Sequence, residues 1–300
     1  MSIIWSLTWK ELMRKRVVLL TGIMTAAFLI ALWFIASAIS NEVFGFGLAE
    51  DDPKFILEMF ARGMLILSLA FFFGGFVIAF LSIFSSSSAI SGEAELGVLQ
   101  ALAPKPLARW QWYAGRWLGF VSFGLVYALI LFTAIIAITG YHASVPRDPA
   151  NLISAYLFFG MIVVVLVTLS MLGSTFFSGI GNGVFVTMLY GGGWLGGMIE
   201  KVITQVSSLS TNGGGKLGES LSNIAGLLSL AMPADGLHRM MLGRLFNVPG
   251  LSELIGMKAS GQESLFGIGA APTMAFLWYA LLYTAAAFAF GAWRFQRKDL

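Results

Sequence analysis

Long apolar runs separated by short polar segments form the main pattern along this chain. A helix needs about 20 apolar residues to cross the hydrocarbon core of a bilayer, and five runs reach that length, at residues 17–39, 63–84, 114–139, 153–177 and 271–293. A sixth run, at residues 184–199, becomes long enough when it is extended back to about residue 180. The pattern predicts an all-α integral membrane protein with six transmembrane helices in a single domain over residues 1–300.

Composition agrees with a membrane protein. The chain is 58% hydrophobic and 11% charged, whereas soluble domains carry about 25% charged residues. A soluble core could not bury this much apolar surface, so lipid must solvate part of it. The first apolar run exceeds the roughly 7–15 apolar residues of a signal peptide. We therefore expect it to remain as the first span.

The positions of lysine and arginine predict the orientation. If the N-terminus is cytoplasmic, the inner segments carry ten basic and four acidic residues, and the outer segments carry eight basic and eleven acidic residues. Basic residues close to span ends favour the cytoplasmic side. We expect a multi-pass protein of the plasma (cytoplasmic) membrane with both termini in the cytoplasm. Residues 200–270 then form the long outer segment.

A polar stretch between spans two and three, residues 85–116, interrupts the apolar pattern. Ser91 is a suitable N-cap, and Glu93 and Glu95 fall in the first turn, where the helix dipole favours anions. An apolar stripe follows and Pro104 and Pro106 end it, which predicts a short amphipathic helix at about 91–103. Such a helix either packs beneath its own bundle or offers its glutamates to a basic partner, and the pattern leaves both interpretations open.

The outer segment contains further helical patterns. Residues 221–232 are apolar but too few to cross, which favours a re-entrant or interfacial helix. After Pro233, an apolar stripe predicts a helix lying on the membrane surface; its members are Leu237, Met240, Met241 and Leu245.

Two glycine pairs in the sixth run allow helices to approach closely: Gly192 with Gly196, and Gly193 with Gly197. The packing could lie within one subunit, at a dimer interface or along a substrate path. The spacing does not choose between these roles.

Several chemistries have no sequence signature here. The chain has no cysteine and only two distant histidines, His142 and His238. A glycine-rich segment ends at Lys216, but Leu217 follows where a P-loop requires a hydroxyl. No charged relay residue lies in the middle of a span. We expect no catalytic residue and no metal site, and the small net charge of +3 does not suggest nucleic-acid binding.

Several short motifs carry a resemblance to a known family. Residues 91–99 read SGEAELGVL, residues 106–109 read PLAR and residues 115–119 read GRWLG. Further matching segments are Trp9-Lys10-Glu11, the segment with Pro233, Asp235, His238 and Arg239, and a basic ending from Arg294 to Asp299. In this order, on six spans, the chain resembles the permease subunits of ABC-2-type ATP-binding-cassette transporters. Pro104 departs from the family pattern.

The resemblance implies a division of labour. The permease pairs as a homodimer or heterodimer within membrane lipid and joins separate ATPase subunits, which bind ATP and Mg, so this chain binds no cofactor itself. The helix after span two is then the coupling helix, with the coupling residues Glu93, Glu95, Gly97, Leu99, Pro106 and Arg109. The expected function is export of an amphipathic or lipid-like substrate. The alternative is a non-transporting scaffold, sensor or assembly factor with the same fold.

Overall fold

The described structure is entirely helical in its regular elements. A computed structural model describes residues 2–41, 53–95, 109–145, 148–209, 215–246 and 272–297. In chain order the helices are α1 (Ser2–Arg14), α2 (Arg16–Asn41), α3 (Pro53–Ser86), α4 (Ser91–Glu95), α5 (Arg109–His142), α6 (Pro149–Gly173), α7 (Gly179–Leu209), α8 (Gly215–Ala231), α9 (Ala234–Leu245) and α10 (Met274–Arg297). The all-α prediction is confirmed for these residues.

Five stretches of the described chain are long and apolar enough to cross a membrane. They are Arg16–Ser40, Met59–Glu93, Arg109–His142, Pro149–Gly173 and Met274–Arg297. They correspond to five of the six predicted spans. The predicted fourth span ran to residue 177, whereas α6 ends at Gly173 and a turn leads into the next helix.

The sixth predicted span, at about 180–199, lies in α7. This helix has 31 residues, which gives a length of about 46 Å at 1.5 Å per residue. It is long enough to cross, but its glycines and Asn182 make it less apolar than the other five, and it is not among the candidate spans. The six-span count stays a prediction.

Helix α6 lies at the centre of the bundle. It packs against α3, α5, α7, α9 and α10. Apolar residues surround its axis, as expected for a helix covered on all sides, and Phe159, Leu166 and Val167 are fully buried.

The first and last helices meet at the same end of the bundle, around the beginning of α5. Ile4 of α1 packs on Gly115. The ring of Phe295, near the end of α10, stacks on Trp112 at a centroid distance of 5.4 Å. This shared end is compatible with the predicted placement of both termini on one side, and the side itself stays a prediction.

Helix α9 differs from its predicted position. The expectation was a helix lying on the membrane surface, but the four residues of its apolar stripe are buried inside the protein. The helix packs against α6, and its Gly236 faces the ring of Phe276 in α10. Burial is possible because Asp235 and Arg239 of α9 pair with each other, as described below.

Candidate functional site

Three charged side chains meet where α1, α4 and α5 come together. The guanidinium of Arg116 forms ion pairs with the carboxylates of Glu11 and Glu93 through its two terminal nitrogens. Arg116 is 5% exposed and Glu93 is 9% exposed, so the contact between these two is shielded from solvent, whereas Glu11 is only partly buried. Arginine suits the position because its planar fork can bind two carboxylates at once. We call these three residues the Arg116 cluster.

A second cation completes the charge balance around Glu11. The Nζ atom of Lys15 lies 3.2 Å from Oε1 of Glu11 and donates to the carbonyl oxygen of Ser85 at 3.3 Å. Two cations and two carboxylates therefore offset each other, which lowers the cost of burying them. The guanidinium of Arg116 also lies over the ring of Trp112 at 5.3 Å.

Two glycines allow α1 to approach α5 closely beside this cluster. A Cβ atom on Gly115 would lie 3.0 Å from Cβ of Ile4, and one on Gly119 would lie 2.6 Å from Cβ of Thr8. Real Cβ atoms essentially never come as close as the second distance. The spacing of these glycines is the small-xxx-small pattern of closely packed membrane helices.

Two tryptophans fix the same contact by hydrogen bonding. The Nε1 atoms of Trp5 and Trp9 each donate to Oγ of Ser122 at 2.8 Å. The Ser122 hydroxyl in turn donates to the carbonyl oxygen of Gly119 at 3.1 Å. Helix α1 is thus held on α5 by steric fit and by polar contacts, and this sets the distance from Glu11 to Arg116.

The serine run at the end of α3 is a buried polar joint. The Ser86 hydroxyl donates to the carbonyl oxygen of Ser82 at 2.7 Å, within its own helix. Asn182 of α7 is fully buried, and its Nδ2 donates to the carbonyl oxygens of Ser87 at 2.9 Å and of Ser170 at 2.7 Å. One amide therefore connects the ends of α3 and α6 to the first turn of α7, directly before α4 begins.

The outer sequence motif forms a separate ion-pair cluster. Within α9, Nε of Arg239 lies 3.0 Å from Oδ2 of Asp235, one turn away, and both residues are buried. A terminal nitrogen of Arg239 also lies 3.0 Å from Oε2 of Glu200 in α7. Pro233 occupies the N-cap position of α9 and His238 is partly buried on the same helix. The motif thus joins α7 to α9.

The glycines of α7 face other helices of the same chain. A Cβ atom on Gly193 would lie 2.7 Å from Cβ of Met232, and one on Gly196 would lie 2.9 Å from Cβ of Leu228. Gly197 lies directly against the carboxylate of Asp235, and Gly192 makes only an ordinary contact. The geometry corresponds to packing within one subunit. A role in dimerisation or in a substrate path stays a prediction.

Metal-ligand groupings are not found among the described residues: no group of three or more His, Cys, Asp or Glu side chains lies close enough to hold an ion. Both of the chain's histidines, His142 and His238, lie within these residues.

The match to a known family covers almost the whole sequence. The family model described as "ABC-2 family transporter protein" matches residues 3–300. The chain belongs to this family. No curated protein matches the sequence. The resemblance inferred from the motifs is thereby confirmed, and the chain is a membrane-spanning permease rather than a catalytic subunit.

Three family-like motifs of this ABC-2 permease come together in the Arg116 cluster. Glu11 comes from the motif before the first span, Glu93 from the motif after the second, and Arg116 from the motif that begins the third. All three motifs are visible in the sequence, but only Glu93 of these three residues was predicted to be functional. The missed signal was an arginine inside the predicted third span, with the carboxylates of Glu11 and Glu93 in neighbouring segments.

Some of the predicted coupling residues lie within the described structure and others lie outside it. Only the first turn of the predicted helix at 91–103 is described, as α4, and Gly97, Leu99, Pro104 and Pro106 lie outside the described residues. Of the two interpretations, packing beneath the bundle applies to Glu93, because its carboxylate points inward to Arg116, and its role in coupling stays a prediction. Glu95 is exposed.

Arg109 lies outside the cluster. It is exposed at the beginning of α5, and its Nη1 donates to the carbonyl oxygen of Gln296 near the end of α10, at 3.3 Å. The structure therefore places Arg109 in contact with the last helix.

The pKa of Glu11 should make this permease sensitive to acid. Burial raises the pKa of this carboxyl, but Arg116 and Lys15 together lower it below the usual 4.5. A lowered pKa in the folded state stabilises the protein above pH 4.5, and that contribution is lost as the pH falls through the folded-state pKa. We expect the melting temperature in micelles to fall in this acid range, and to fall less in Glu11→Gln.

Glu95→Gln is the matched control, because this glutamate is exposed and outside the cluster. Its acid profile should follow that of the unmodified protein. An acid profile of Glu11→Gln identical to that of the unmodified protein would contradict the assignment.

Proposed function

We propose that this permease is the transmembrane part of an ATP-driven exporter, powered by separate ATPase subunits that carry ATP and Mg. It pairs with a second copy or a paralogue, and its termini and α4 face the cytoplasm. The supporting observation is that Arg116 joins α4 to both α1 and α5. A movement of α4 must therefore displace two helices of the bundle or break a buried ion pair.

The two glutamates of α4 have different roles in this proposal. Glu95 is exposed and contacts the ATPase, together with the segment that follows it. Glu93 is buried and transmits the displacement to Arg116. The coupling element is thus held on its inner side by a charge contact and recognised on its outer side.

Helix α5 carries the displacement across the membrane. It has 34 residues, or about 51 Å at the rise of an α-helix. A rigid helix of this length passes a tilt at Arg116 to its opposite end near His142. The Arg116 cluster therefore lies at the input end of an element that spans the bundle.

An amphipathic or lipid-like substrate fits the aromatic surface between α3 and α7. The rings of Phe72 and Phe76 lie 4.5 Å and 5.6 Å from that of Trp194. Phe73 and Phe76 are 51% and 39% exposed. Apolar aromatic rings favour acyl chains or aromatic groups over ions.

Variants that remove or reverse a charge of α4 test the proposal, in the complex of the permease with its co-purified ATPase. We expect the Glu93→Gln permease to retain the ATPase. Its stimulation of ATP hydrolysis should be about tenfold weaker, equivalent to about 1.4 kcal/mol. Glu95→Lys should weaken retention of the ATPase, because its exposed charge is reversed. Both variants should insert into the membrane normally.

Two results would reject the exporter. One is a permease that co-purifies with no ATPase, which would favour the scaffold alternative. The other is a Glu93→Gln, Glu95→Lys double variant whose ATP hydrolysis still responds to substrate as in the unmodified complex.

A further inference from the structure

The outward side of α1 carries apolar residues at its beginning and basic residues at its end. Ile3, Leu7, Lys10 and Arg14 follow each other at helical spacing and are all exposed. Ile3 and Leu7 are 83% and 59% exposed. The opposite side, with Ile4, Thr8 and Leu12, is buried against the bundle.

The basic residues at this corner fall into two groups. Lys15 and Arg116 neutralise the carboxylates of the Arg116 cluster. Lys10, Arg14 and Arg16 are exposed and form no ion pair within the described part of the chain. Arg16 also begins α2, where the helix dipole disfavours a cation unless an anion is close.

We propose that the outward stripe of α1, with Arg16, binds anionic phospholipid at the bilayer surface. Lys10, Arg14 and Arg16 contact the headgroup phosphates, while Ile3 and Leu7 enter the boundary with the acyl chains. Binding of a helix to the bilayer surface combines burial of exposed apolar residues with attraction of basic residues to anionic lipids, and the exposed side of α1 offers both. Each basic residue near an anionic surface adds to the attraction.

A lipid surface explains this side better than an acidic protein does. An acidic protein would account for the cations but not for the exposure of Ile3 and Leu7 beside them. Directly after the basic residues comes α2, a candidate span, where Leu19, Leu20 and Ile23 are exposed. The indole contacts with Ser122 hold α1 on α5, so the stripe is presented in a fixed position.

The test uses the full chain in neutral detergent micelles, with bound lipid counted by native mass spectrometry. We expect phosphatidylglycerol to be retained in preference to phosphatidylcholine, and salt to weaken the preference. Lys10→Gln with Arg14→Gln should lower phosphatidylglycerol affinity about fivefold for each charge removed. Both side chains are exposed and unpaired, so the variant should fold normally, which circular dichroism checks.

Two further variants make the result specific. Arg62→Gln with Arg244→Gln removes the same charge elsewhere and should change the affinity less than twofold. Ile3→Ser with Leu7→Ser should weaken the binding of both lipids. Binding of an acidic protein would not require these two apolar side chains. At constant ionic strength, excess inorganic phosphate should not displace phosphatidylglycerol.

Several outcomes would overturn the proposal: equal retention of the two lipids, unchanged affinity in the Lys10 and Arg14 variant, an equal loss in the control variant, or displacement by free phosphate. Loss of ATPase retention with intact lipid binding would assign the stripe to a protein partner instead. None of these results depends on whether the permease is an exporter.

Discussion

Replacing Arg116 by methionine should lower the free energy of unfolding by about 3–5 kcal/mol, the usual cost of removing one partner of a buried ion pair. Methionine fills much of the same volume, so packing is largely retained. Glu93 would be left buried opposite no cation, while Glu11 would keep Lys15. Denaturant unfolding in micelles measures the loss, and stimulation of the ATPase should be lost with it.

Arg109→Met is the matched control for this variant. It removes an arginine from the beginning of the same helix, but the side chain is exposed and outside the cluster. We expect a change of less than about 1 kcal/mol, as for other surface charges. Arg116→Lys should restore only part of the stability, because an ammonium lacks the planar fork that binds two carboxylates. Equal effects of Arg109→Met and Arg116→Met would refute the role of the cluster.

The second large effect is expected at Arg239. Arg239→Met should destabilise the protein by about 3–5 kcal/mol, because Asp235 is left buried in α9 without its cation. The side chain of Glu200 is 47% exposed, so water can solvate it after the change. Thermal unfolding in micelles, followed by helical circular dichroism, measures the loss.

A double-mutant cycle separates charge from packing at this site. Asp235→Leu combined with Arg239→Met removes both charges, and we expect it to recover most of the stability lost by either single variant. Arg244→Met, on the same helix but less buried, serves as the control. Additive losses in the double variant would show that the pair does not couple.

Local hydropathy was enough to predict most of the framework. Runs of apolar residues predicted five helices that are long and apolar enough to span, because the bilayer sets a length that a helix must reach. Glycine spacing also predicted a close approach of α7, and Gly196 is indeed packed on α8. These features depend only on neighbouring residues, which a sequence shows directly.

The errors arose where distant residues decide the outcome. The first turn of α4 left open whether its glutamates meet a partner or the bundle, and Glu93 is buried because Arg116 of another helix neutralises it. The apolar stripe of α9 suggested a helix lying on the membrane surface, but the stripe is buried in the protein, where Asp235 and Arg239 pair with each other. The sequence shows which residues are charged, but it does not show which of these charges lie close together in the fold.

The buried side chain of Asn182 has a chemical consequence. Asn182 is followed by Gly183, and asparagine before glycine loses its side-chain amide most readily, because the glycine backbone nitrogen can attack the side-chain carbonyl carbon, ammonia leaves and water then opens the cyclic imide. Here both amide hydrogens are donated to carbonyl oxygens, of Ser87 and Ser170, in a helix closed to water. Hydrolysis would place a carboxylate opposite two carbonyl oxygens and turn attraction into repulsion, separating the ends of three helices. The fold thus protects its own joint from chemical ageing for as long as the joint stays closed.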